Sequence, residues 1–147
     1  MKIVIATDGL PSASEAVELG LELAAEQSAV PIFVHVVPAF DVLPAGGLSP
    51  APAIRDEVSH SDWEPLEAAE RQADDLGLES EKELLLGEPA DEIVAFADSV
   101  DADMIVVGSR GHGVIASTIL GSVSRRVLHE ARRPVLIVRK APQTVPA

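Results

Sequence analysis

At 147 residues, with 47% apolar but only 3% aromatic side chains, the chain has the size of one domain, and its core must be built from Val, Leu, Ile and Ala, the residues of parallel strands buried on both faces. The absence of cysteine excludes disulfides, cysteine-ligated metal clusters and thiol chemistry, and fits a reducing, cytoplasmic setting. A net charge of −13 argues against a nucleic-acid partner, whose phosphates are met by clustered Lys and Arg, and no apolar stretch approaches the roughly 18 residues that a membrane span needs.

Lys2 to Thr7 is a short β-branched run that reads as a first strand, and it passes into Asp8-Gly9 without a signal-peptide cleavage pattern. Ser12 and Glu15 have capping-box spacing and predict a helix over 12–27, with Ala13, Ala16, Val17, Leu19, Leu23 and Ala24 on one broad face. Pro31 to Val37 is apolar enough for a central strand. From Pro38 to His60 four prolines (Pro38, Pro44, Pro50, Pro52) and the Gly46-Gly47 pair predict a long loop. Ser61 and Glu64 repeat the capping-box spacing and open a second helix that Gly77 can close in a left-handed C′ position.

Lys82 to Leu86 reads as the third strand, and Gly87-Glu88-Pro89 opens a helix through Val100, with Pro89 in the first turn, where a missing N–H is harmless. Asp103 to Gly108 is the fourth strand, Gly121-Ser122 opens the last helix, and Pro134 to Arg139 is the fifth strand, followed by a tail over 142–147. The alternation predicts an α/β fold: one domain over residues 1–141, a doubly wound five-stranded parallel sheet with helices on both faces. In such sheets ligands sit beyond the carboxyl ends of the strands at the topological switch point, so the residues after strands one, two and four carry the functional expectation.

After strand four comes Gly108-Ser109-Arg110-Gly111-His112-Gly113, and nine residues separate Gly111 from Gly121, which stands with Ser122 at a helix start. Glycines let backbone N–H groups approach an anion, and a helix N-terminus offers unpaired N–H groups at the positive end of its dipole. Ser122 and Ser124 add hydroxyls, and Arg110, His112 and Arg125 add charge, so a phosphate chain is the expected guest; a tight turn at Gly108 and Gly111 with close packing at Gly121 is the purely structural alternative. The spacing is neither a Walker A loop nor a dinucleotide fingerprint.

Glycine, two residues, glycine, nine residues, glycine and Ser or Thr resembles the signature of universal stress proteins, matched here at Gly108, Gly111, Gly121 and Ser122. The likeness extends to Ala6-Thr7-Asp8-Gly9, His35-Val36-Val37, Gly87-Glu88-Pro89 and Arg133 to Val138, nearly the whole chain. It implies a Rossmann-like ATP-binding protein, with ADP or AMP as alternatives and Mg2+ held mainly by the phosphates. Asp8, with Ala6 and Thr7 beside it, would meet the adenosine side, and Val36 would offer its backbone to adenine. Gly108, Ser109, Arg110, Gly111, His112, Gly121, Ser122, Val123 and Ser124 would cradle ribose and phosphates. Asp8 has a second reading as a cap of its own turn.

His35, His60, His112 and His129 show no metal-ligand spacing, and Trp63 reads as packing a helix onto the sheet or the long loop. No triad or general base stands out, so binding without turnover is expected, with weak ATPase activity or self-phosphorylation at Ser109 or Ser122 as an alternative. The functional readings are a nucleotide-dependent stress-response switch or a nucleotide-free dimeric module. The homodimer that the family usually forms would pair Val135, Leu136, Ile137 and Val138 across an exposed edge. With only Lys2, Lys82 and Lys140 as lysines, the acidic surface reads as halophile-like, an ordinary acidic protein being the alternative.

Overall fold

The structure, a computed structural model, describes residues 1–38, 58–109 and 120–139. Within them the order is β1 (Lys2–Ala6), α1 (Pro11–Gln27), β2 (Val30–Val37), α2 (His60–Asp75), β3 (Glu81–Leu86), α3 (Pro89–Ser99), β4 (Met104–Gly108), α4 (Ser122–Glu130) and β5 (Val135–Val138). All pairs are parallel and the strand order is β3-β2-β1-β4-β5, so the doubly wound expectation holds and the winding reverses between β1 and β4. Most of the long loop expected over 38–60 and the tail over 142–147 lie outside the described residues.

Alternation along the strands divides the core in two. Ile3, Ile5, Phe33 and Val106 point to one face, where Ala16, Val17, Leu21 and Ala24 of α1 and Leu66, Ala69 and Ala73 of α2 cover them. Val4, Ile32, Val34, Ile105 and Val107 point to the other, under Ala90, Ile93 and Ala97 of α3 and Val127 of α4. Alanine at so many helix contacts lets the helices lie close to a sheet of branched side chains. Trp63 packs against the first cluster, as a residue fastening α2 to the sheet should.

Two helix starts differ from expectation. No Ser12–Glu15 box forms: Asp8 Oδ1 accepts the Leu10 N–H at 2.9 Å, Pro11 stands at the first helical position with its φ already suited to a helix, and Ser12 is thereby drawn into the first turn. α2 is capped by Ser59 rather than Ser61: the Ser59 N–H donates to Asp62 Oδ2 at 2.9 Å and the helix starts at His60. The string Ser59-His60-Ser61-Asp62-Trp63-Glu64 holds two overlapping box spacings, and the first one wins. Pro65 then falls inside the helix and lies against the β1–α1 turn, its Cγ 3.3 Å from where a Cβ on Gly9 would stand. The α2 end is as expected: Gly77 has φ +72°, and Leu78 N–H to Ala73 O with Gly77 N–H to Asp74 O closes a Schellman motif.

Candidate functional site

The reversal between β1 and β4 leaves a gap at the carboxyl ends of the strands, and the structure has a cleft of about 540 Å³ there, within the range of small-ligand sites. Three pieces of chain build it: the β1–α1 turn, the end of β2, and the junction of β4 with α4.

In the first, Thr7 N–H bonds Val34 O at 2.9 Å as the last rung between β1 and β2, and the Thr7 hydroxyl accepts the Gly9 N–H at 3.3 Å. Gly9 has φ +78°, a left-handed conformation that turns the chain into α1. Asp8 is exposed at the cleft and caps this turn through Leu10 N–H, the second of its two expected roles.

In the third, Gly108 approaches α1 so closely that a Cβ would stand 2.7 Å from Ser12 Oγ and 2.8 Å from Ser12 O. Ser109 is buried beneath the cleft rather than lining it; its N–H bonds Val138 O at 2.9 Å and its carbonyl accepts the Gly121 N–H at 2.8 Å. Ser124, only 3% exposed, places its hydroxyl 3.0 Å from Gly121 O and 3.3 Å from Ser109 O. These bonds clip the start of α4 to the end of β4. Gly121, the N-cap, has no side chain to satisfy the first-turn donors, and Gly121, Ser122, Val123 and Ser124 all line the cleft, so the positive end of the α4 dipole lies at it.

Of the residues expected from the sequence, Ala6, Thr7, Asp8, Val36, Gly108, Gly121, Ser122, Val123 and Ser124 all line this one cleft. Arg110, Gly111 and His112 lie outside the described residues. The sequence reading missed the apolar wall of Leu10, Val34 and Val107, together with Pro89 and Ile93 from the first turns of α3. It also missed His35, whose Nδ1 is 3.0 Å from Thr7 O. The i, i+4 spacing of Pro89 and Ile93 marks one face of α3 but not the strands it covers, and no sequence signal marks His35, whose bond depends on strand register.

At the rim Arg126 of α4 pairs with Glu88 (2.9 Å) and Asp91 (2.8 Å) at the start of α3 and with Glu130 (3.1 Å). The hydrogen bond to Glu130 chiefly raises its guanidinium above the ordinary value; desolvation opposes this, and the charges of Asp91, Glu130 and Glu88 add to the rise. Among the described residues no three His, Asp or Glu gather as metal ligands, and no helix is long and apolar enough to cross a membrane.

Residues 1–139 match the family described as the universal stress protein family. Universal stress protein MJ0531 of Methanocaldococcus jannaschii is 38% identical over 143 residues, covering 95% of this chain and 82% of that one. Among solved structures, the universal stress protein from Archaeoglobus fulgidus in complex with dAMP is 31% identical, with a TM-score of 0.68 over 95% of this chain and 98% of that one. A universal stress protein in complex with cAMP is 29% identical, with a TM-score of 0.67 over 96% and 98%.

Proposed function

The chain belongs to the universal stress protein family, and from that premise we propose that it holds an adenine nucleotide in the switch-point cleft and works as a nucleotide-dependent switch or regulator in a stress response. ATP is the foremost guest, with ADP and AMP as alternatives and Mg2+ held mainly by the phosphates. The observation that carries this reading is the α4 N-terminus, without a side-chain cap, lining the same cleft as the apolar side chains of Leu10, Val34, Val107 and Ile93. The dAMP and cAMP bound by the two solved relatives support the choice of adenine.

In this reading adenine lies against Val34, Val36 and Ile93. Val37 O accepts the Gly87 N–H on the β3 side, so strand alternation turns the Val36 N–H and C=O toward the β1 side, beyond the point where β1 has ended. One donor and one acceptor there match the N1 and amino group of adenine. Ala6, Thr7 and Asp8 meet the nucleoside; Gly108, Gly121, Ser122 and Val123 meet the phosphates, with Arg110, Gly111 and His112 completing that side. Ser109 and Ser124 serve by clipping α4 in place. The function is binding without turnover, in the cytoplasm, as a homodimer joined at β5, an edge strand of the sheet, through Val135 to Val138.

The test is to precipitate purified protein with acid and identify the released nucleotide by anion exchange, with Gly121→Asp as control, since that change sets a carboxylate where phosphate should sit. Adenine nucleotide near one per chain from the wild type alone supports the reading. No nucleotide, and no thermal stabilisation by millimolar Mg-ATP, refutes it.

A further inference from the structure

We infer that His35 is a positioning residue that stops the β1–β2 ladder one rung early and so keeps the Val36 backbone open to the ligand. The inference rests on the nucleotide reading above for its purpose, but its structural half stands apart from it. The register pairs Ala6 with Val34, and Thr7 N–H bonds Val34 O. In a parallel ladder the next rung after this one is fixed: Val36 N–H to Thr7 O. Among the described residues that rung is not made. The Thr7 carbonyl instead has His35 Nδ1 at 3.0 Å.

A carbonyl oxygen can only accept, so Nδ1 carries the ring hydrogen and the bond is Nδ1–H to Thr7 O. The side chain of one β2 residue thus takes the acceptor that belongs to the backbone of the next. Two consequences follow together. The Thr7 carbonyl is satisfied, so β1 can end there and turn through Gly9 without leaving a polar group exposed to the apolar wall. The Val36 N–H keeps no strand partner on that side, and a ligand with a ring nitrogen acceptor becomes its partner. Without the imidazole, the chain has every local reason to add the missing rung and shut the gap between the strands.

The experiment uses the full-length, 15N-labelled protein freed of nucleotide, with His35→Leu, which removes the donor, and His35→Asn, whose Nδ2 restores a donor near the position of Nδ1. Three quantities are read: the imidazole 15N shifts of wild-type His35, hydrogen exchange at the Val36 amide without ligand, and AMP affinity by calorimetry. The expected results are an Nδ1–H tautomer in the wild type, Val36 exchange about tenfold slower or more in His35→Leu than in the wild type, and AMP binding ~5–10-fold weaker in His35→Leu, as the loss of one ligand hydrogen bond gives. His35→Asn should stay within about twofold of the wild type in both exchange and affinity. An Nε2–H tautomer, or a Val36 amide that exchanges equally fast in His35→Leu and the wild type, overturns the inference, and the tautomer is read in the wild type even if the leucine variant does not fold. If wild-type protein binds neither AMP nor Mg-ATP the nucleotide reading fails, while tautomer and exchange still decide what His35 does to the ladder.

Discussion

Gly108→Ala isolates the closest approach in the site. A Cβ at this position would stand 2.7 Å from Ser12 Oγ, 2.8 Å from Ser12 O and 3.0 Å from Ser12 C, so the first turn of α1 must retreat by a few tenths of an ångström from the end of β4. The hydroxyl can rotate away; the backbone carbonyl cannot. Overpacking of this kind destabilises by ~1–3 kcal/mol, and the rigid partner puts the effect at about 2–3. Because Gly108 shows no left-handed φ, alanine also restricts the unfolded chain, which returns ~0.4–1 kcal/mol. The net loss is then about 1–2.6 kcal/mol, a fall in Tm of roughly 2–10 °C for a domain this size. Leu10 and Ala13 of the displaced turn line the cleft, so affinity for Mg-ATP should fall as well. Calorimetric unfolding and nucleotide titration measure both. Gly77→Ala is the control, since its Cβ meets nothing within 4 Å and only φ +72° opposes it, so a loss of ~1 kcal/mol with unchanged binding is expected there. Gly108→Ala within ~0.5 kcal/mol of the wild type and binding normally would refute the close-approach reasoning.

Ser122 and Ser124 should separate binding from stability. Ser124→Ala removes a buried hydroxyl bonded to the Gly121 carbonyl and should lower stability by ~1 kcal/mol in urea unfolding, whereas exposed Ser122→Ala should leave the midpoint unchanged and weaken ATP in a titration. On α1, Glu18, Glu22 and Glu26 repeat at intervals of four, and the helix carries no basic residue to offset them. Glu22→Lys exchanges two repulsions for two attractions and should stabilise by ~1 kcal/mol at 0.1 M salt and by much less at 1 M; equal gains at both salts would show that charge is not the cause. Gly20→Ala adds a Cβ 2.6 Å from Ile5 Cδ1 and should destabilise despite the better helix propensity of alanine. Ile5→Val removes that Cδ1, so in a double-mutant cycle the two changes should couple favourably by at least ~0.5 kcal/mol.

Most of the sheet is legible in the sequence because buried parallel strands are short unbroken apolar runs, and Ile3-Val4-Ile5 and Ile105-Val106-Val107 are both of this kind. Helix starts are less legible: cap signals are four-residue strings, and Ser59 and Ser61 each offer one. Which is used depends on where Trp63 and Leu66 must point, a tertiary matter. The β4–α4 side of the site could be read from glycine spacing, since Gly108 answers the close approach of Ser12 and Gly121 stands as the N-cap of α4. His35 could not, because its role comes from the register between β1 and β2. The α3 wall depends in the same way on a helix carried across the sheet from β3.

The bond from Gly121 N–H to Ser109 O, with Ser124 beside it, ties together two residues separated by eleven others. Such a staple makes the position of α4 insensitive to what is strung between its ends. Lengthening that segment twofold adds only ~0.6 kcal/mol of closure entropy, so evolution, or an engineer, can extend it or graft a recognition peptide into it while α4 stays where it is.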